Sequence, residues 1–188
     1  MIQKYETEVF NMETSSIIND LFQAAQSGDL SRLITILDAH PDLADTENND
    51  GLTPLGFAAH YGNKDAVQLL LDHGADVNAI SHSRISFIPS NTALHAAIAG
   101  ERNTEVIRLL LARNAGTDLF DSNGHTCLHT AAFHDDNIEL IRLLLEHGAD
   151  VNAKAEGGET PLALAVKQGN HRVAEFLRQN GALNPQNA

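Results

Sequence analysis

The stretch DSNGHTCLHTAAFHDDNIELIRLLLEHGADVNA, residues 121–153, packs helix starts, a helix stop and a buried face into one compact unit. Thr126 is placed to cap a helix, its hydroxyl accepting from an amide that the first turn leaves orphaned. Leu128, Ala131 and Ala132 then fall on one helical face. After a polar break at Asp135, Asp136 and Asn137, the run Ile138 to Glu146 is apolar on most sides, as a helix packed on both flanks must be. Gly148 stops it, because glycine accepts the left-handed backbone that closes many helices.

The unit recurs. Thr53, Thr92, Thr126 and Thr160 each stand two residues before a leucine, at Leu55, Leu94, Leu128 and Leu162. Their spacings are 39, 34 and 34 residues (53 to 92, 92 to 126, 126 to 160), close to the roughly 33-residue period of one helical repeat. Stops recur as well, at Gly74, Asn114, Gly148 and Gly181. Asn114 is informative because asparagine, after glycine, best tolerates a positive φ.

On these residues the chain resembles an ankyrin-repeat protein. DGLTPLGFAAHYGNKDAVQLLLDHGADVNA at 50–79 carries the motif most fully, with TPL, an alanine pair, a leucine pair and Gly-Ala-Asp at fixed offsets. The resemblance runs from about Ser15 to the C-terminus. It implies an all-α solenoid of five helix-turn-helix repeats, the first and last acting as caps, joined by β-hairpin fingers. The repeats fall at about 15–47, 48–80, 81–119, 120–153 and 154–184, forming a single domain over 15–188. Residues 1–14 match no repeat and are expected to be a mobile tail or a short extra helix. Asn184 to Ala188 should fray.

Composition narrows the function classes. The 25 acidic and 12 basic residues give a formal charge of −13, which opposes the phosphate neutralisation that nucleic-acid binding needs. Neither nucleic acid nor an anionic membrane is therefore expected as a partner. The lone cysteine, Cys127, forbids an internal disulfide and fits a reducing compartment, and the N-terminal residues lack the apolar run of a signal peptide. A cytoplasmic location is expected.

Twelve residues, ISHSRISFIPSN, separate Ala79 from Thr92, whereas six separate Ala153 from Thr160, so one finger is longer by about six. Its Ile85, Phe87, Ile88 and Pro89 either fold back over the array or form an exposed apolar patch for a partner. One added residue is expected in each turn at Glu101-Arg102-Asn103 and at Asp135-Asp136-Asn137.

Ten histidines invite a metal or catalytic reading. By the resemblance, His95 and His129 hydrogen-bond the capping threonine and nearby backbone. His73 and His147 precede a helix-stopping glycine, where a cation favours the helix dipole. His60, His125 and His134 come from different repeats with no HExxH or CxxC spacing, so no metal, cofactor or catalytic residue is expected. Asn78 and Asn152 occupy a position that some ankyrin proteins hydroxylate, but a side chain bridging the hairpin backbone explains them.

The resemblance implies a concave surface that binds a protein, of unidentified kind, with the chain a monomer. By register that surface carries Asn49, Asp50, Leu52, His60 and Tyr61 in the second unit and Ile88, Pro89 and Asn91 in the third. The fourth contributes Ser122, Asn123, His125, Phe133 and His134, and the fifth Glu156, Glu159, Lys167 and Gln168. Tyr61 and Phe133 are the expected anchors. The alternative is a small-molecule or metal-binding protein using the groove histidines.

Overall fold

The computed structural model describes the backbone of residues 2–100 and 103–183, and side chains from Thr14 onward. The fraying expected at Asn184 to Ala188, the added residue expected at Glu101 and Arg102, and any side-chain role for residues 1–13 lie outside the described residues. Among the described residues ten α-helices follow in pairs: α1 Ile2–Ser27 and α2 Leu30–Ala39, α3 Pro54–His60 and α4 Lys64–Asp72, α5 Ala93–Ala99 and α6 Thr104–Ala112. Then come α7 Cys127–His134 and α8 Ile138–Glu146, and finally α9 Pro161–Gln168 and α10 His171–Gln179. A 3-10 turn, Pro41–Asp45, closes the first pair. Helix α1 begins well ahead of Ser15 and runs without a break into the first pair.

The odd-numbered helices stack as one layer, α1 on α3, α3 on α5, α5 on α7 and α7 on α9. Of the even-numbered ones, α2 packs on α4, α4 on α6 and α8 on α10. Leu55, Leu94, Leu128 and Leu162 lie between the layers, none more than 2 % exposed. Alanines let the layers meet: Ala58, Ala59, Ala97, Ala131, Ala132 and Ala165 are all buried. A helix pair of this kind cannot bury its apolar face alone, so its stability comes from the neighbours it stacks on.

Threonine caps set α3, α5, α7 and α9. The Thr53, Thr92 and Thr160 hydroxyls accept from the amides of Gly56, His95 and Ala163 at 3.2, 3.5 and 3.3 Å. Thr126 forms a reciprocal capping box with His129. At the other end of the unit Asn114 has φ 64°, the sole non-glycine with positive φ among the described residues. The outer helices are joined to the preceding unit by asparagines at their starts. Nδ2 of Asn63, Asn103 and Asn170 donates to the carbonyls of Ala25, Gly62 and Ala132 at 3.0, 2.8 and 2.8 Å.

The joining fingers differ from β-hairpins: among the described residues no strand forms. Two of the tips are turns held by a side chain. Asp121 Oδ1 accepts from the amides of Asn123 and His125 at 2.9 and 2.8 Å, and Asn48 Oδ1 from those of Asp50 and Leu52 at 2.9 and 3.0 Å. Short backbone bridges such as Asp121 N–H to His125 carbonyl close the loops. Loops this short turn before a ladder can extend.

The residue expected to lengthen the turn at Asp135 to Asn137 lies instead in the helix. Helix α7 has 8 residues against 7 in α3, while three residues join each to its partner, 135–137 and 61–63. One more helical hydrogen bond satisfies the backbone better than a longer loop would.

The long finger folds back and is tied on both sides. Arg84 N–H donates to the Asp50 carbonyl at 2.8 Å, Ser122 N–H to the Ser90 carbonyl at 2.9 Å, and Ser90 N–H to Ser122 Oγ at 3.0 Å. Glu47 Oε1 accepts from the His82 amide and lies 2.7 Å from its Nδ1. Phe87 nevertheless stays 83 % exposed at its bend. The finger thus folds back over the array and leaves Phe87 alone of the four apolar residues exposed.

Candidate functional site

A groove of about 590 Å³ is lined by residues of the second, third and fourth pairs and of the fingers that precede them. It gathers Asp50, Leu52, His60, Tyr61, Ile88, Pro89, Asn91, Asn123, His125, Phe133 and His134. The remaining sequence candidates stand elsewhere. Asn49 gives its carbonyl to the Arg84 guanidinium at 3.2 Å, and Ser122 is engaged with Ser90 on the far side of the long finger. Glu156, Glu159, Lys167 and Gln168 do not line the groove, and Lys167 Nζ pairs with Glu159 Oε1 at 3.4 Å.

Phe57, Ile85, Phe87, Ala96, Ala99 and Thr130 also line it, though the register reading passed over them. The signal was present, since Phe57 lies one turn before Tyr61 on the same helical face, and Ala96 and Thr130 occupy the matching positions. Rings run in sequence toward the groove: Phe22 meets Phe57 edge-on at 5.3 Å, and Phe57 meets Tyr61 at 5.1 Å. Opposite them Phe133 lies edge-on to His134 at 5.1 Å. Edge-to-face packing fixes these rings and limits the entropy that a ligand would have to remove.

Beneath the groove lies a row of buried polar side chains with complete partners. His129 Nδ1 accepts from the Thr126 amide at 3.2 Å, which leaves Nε2–H to donate to the Glu159 carbonyl at 3.0 Å. Burial lowers the pKa of His129, and does the same to that of His95. His73 behaves oppositely: its Nδ1–H donates to the Leu69 carbonyl at 2.8 Å, which with nearby Asp38 raises its pKa. Burial pushes the Cys127 thiol up as well, far from the range of a reactive thiolate.

Asn78 and Asn152 bridge, but not within their own finger. Asn78 Oδ1 accepts from the Gly116 amide at 2.8 Å and its Nδ2 donates to the Asn114 carbonyl at 3.3 Å. Asn152 does the same with Leu183 and Gly181, at 2.8 and 3.1 Å. Each amide thus ties one unit to the loop that ends the next outer helix. His60, His125 and His134 share the groove, yet among the described residues no three His, Cys, Asp or Glu side chains converge as metal ligands would. The metal-binding alternative has no geometric support.

Comparison with known proteins agrees with the stack. The family model for ankyrin repeats (three copies) matches residues 21–121, 84–155 and 101–187. This chain belongs to the ankyrin-repeat family. Ankyrin-repeat relatives include inversin of Gallus gallus, 37 % identical over 99 residues, covering 53 % of this chain and 8 % of that protein. The E3 ubiquitin-protein ligase XB3 of Oryza sativa subsp. japonica is 32 % identical over 178 residues, covering 88 % of this chain and 38 % of that protein. The ankyrin repeat domain-containing protein SAT10 of Stachybotrys chartarum is 32 % identical over 133 residues, 70 % of this chain and 5 % of its own length. The chain spans well under half of each of these relatives. Ankyrin repeats in general are protein-interaction modules. Among the described residues no helix is long and apolar enough to cross a membrane.

Proposed function

We propose that this chain is a non-enzymatic, monomeric interaction module of the cytoplasm that holds a segment of a protein partner in its concave groove. All five helix pairs act as repeats, the first and last as caps. The observation that carries the reading is the groove itself, walled by Tyr61 and Phe133 and flanked by a finger whose Phe87 is 83 % exposed. Aromatic side chains held in fixed positions at an open surface are the usual energetic centres of interfaces. The formal charge of −13 supports a protein over nucleic acid or an anionic membrane.

The test is affinity capture from the native cell with wild type and a Tyr61, Phe133, His134 triple-alanine variant, followed by reconstitution of the captured protein in pure form. A partner held by wild type and lost by the variant is the expected result. Equal retention by both, or catalytic turnover that survives the triple substitution, overturns the reading.

A further inference from the structure

Counted from their capping threonines, the second, third and fourth repeats place Phe57, Ala96 and Thr130 at the fourth following residue and His60, Ala99 and Phe133 at the seventh. All six line the same groove. Of these three the third repeat alone has alanine at both positions, so methyl groups stand where its neighbours carry larger side chains. The same repeat supplies the long finger, whose half-buried Ile88 and exposed Phe87 line the groove opposite the helices. Among the described residues none lining the groove is lysine or arginine, while the exposed Asp50 is among them. Arg84, on the adjoining finger, gives its guanidinium to the Asn49 carbonyl.

The geometry points to a socket in the third repeat, floored by Ala96 and Ala99, that receives one bulky apolar side chain of a protein segment carrying lysine or arginine beside that anchor. The inference rests on the reading of the groove as a protein-binding surface. An anchor seated between ring walls loses its water on both sides, which concentrates binding energy at one point. The cation follows from complementarity with Asp50 and with a chain of formal charge −13, which also steers a basic partner inward.

A random peptide library displayed on phage is selected on the full chain, and synthetic copies of enriched peptides are titrated by fluorescence anisotropy. Enriched sequences should share Leu, Phe or Trp beside Lys or Arg. Ala99→Phe, which fills the socket, should weaken them about tenfold or more, Phe87→Ala should weaken them as well, and Asp50→Lys should weaken them and reduce their salt dependence. Circular dichroism checks each variant. If Ala99→Phe does not fold, Phe87→Ala decides, because that side chain is exposed. Peptides that bind the groove but ignore a folded Ala99→Phe, or ignore Phe87→Ala, overturn the socket and leave the interaction module standing. Enrichment of acidic peptides overturns the partner's charge. No enrichment over a blank surface overturns both the socket and the reading beneath it.

Discussion

His95 Nε2 lies 3.1 Å from the backbone carbonyl of His125, thirty residues further along, and its Nδ1 lies 2.9 Å from the Thr92 hydroxyl. His129 repeats the arrangement with Glu159 and Thr126. Each imidazole thereby joins the cap of one repeat to the finger that opens the next, and His129, whose Nδ1 accepts from the Thr126 amide, is neutral in that arrangement.

That neutrality predicts acid sensitivity. Burial holds the pKa values of His95 and His129 below the ordinary 6.5. The unfolded chain therefore takes up protons first as pH falls through about 6.5. Stability is complete above that pH and declines below it, toward the lower folded-state values. His73, with its pKa raised, works the other way: its contribution is present below 6.5 and lost as pH rises through its folded value. The two more deeply buried rings should dominate, so the melting temperature should fall between pH 7 and pH 5. Replacing both by glutamine should flatten that slope. A melting temperature independent of pH over this range would contradict the assignment.

Asn114 holds φ 64° where the other outer helices before it and after it end in glycine at Gly74, Gly148 and Gly181. Asn114→Gly should therefore be neutral or stabilising by up to ~1 kcal/mol, and Asn114→Val destabilising by ~1 to 2 kcal/mol. Urea denaturation with an unchanged slope would read both. The Asn114 carbonyl that accepts from Asn78 is a backbone group, so either substitution leaves that bond in place.

Cys127 is fully buried beside the Thr126 cap, with its thiol pKa raised by burial. It should resist Ellman's reagent in the native protein and react at once in denaturant. Cys127→Ser should cost ~1 to 3 kcal/mol, because a hydroxyl is poorly solvated there. Rapid labelling of the native chain would show that this repeat opens locally.

Gly51 has φ 74°, and a Cβ added there would sit 2.0 Å from the His82 carbonyl oxygen. The long finger lies directly against the tip of the finger before it. Gly51→Ala should cost at least ~2 kcal/mol, combining backbone strain with a clash against main chain that cannot rotate away. Hydrogen exchange should rise locally across residues 82–90 as the finger lifts. Unaltered exchange in those residues would show that this contact does not hold the finger.

Thr126, Gly148 and Asn114 made the helix pairs legible, because a cap hydroxyl or a left-handed stop acts within one turn of chain. Tyr61 and Phe133 were legible as groove residues for the same reason: a position relative to a nearby threonine fixes which face a side chain takes. Glu156 and Lys167 lie outside the groove because register gives a direction but not the extent of a groove. Asn78 was read within its own finger, since its actual partners at Asn114 and Gly116 lie a full repeat away.

The sequence by itself determined the helix pairs, their starts and stops and the repeat to which they belong, all of which arise from contacts spanning a few residues. Tertiary structure decided how the long finger folds, since its bonds to Asp50 and Ser122 join fingers some thirty residues apart. It also decided which side chains share one groove, because Phe57, Ala96, Ala99 and Phe133 come from three successive repeats and only the stack brings them together.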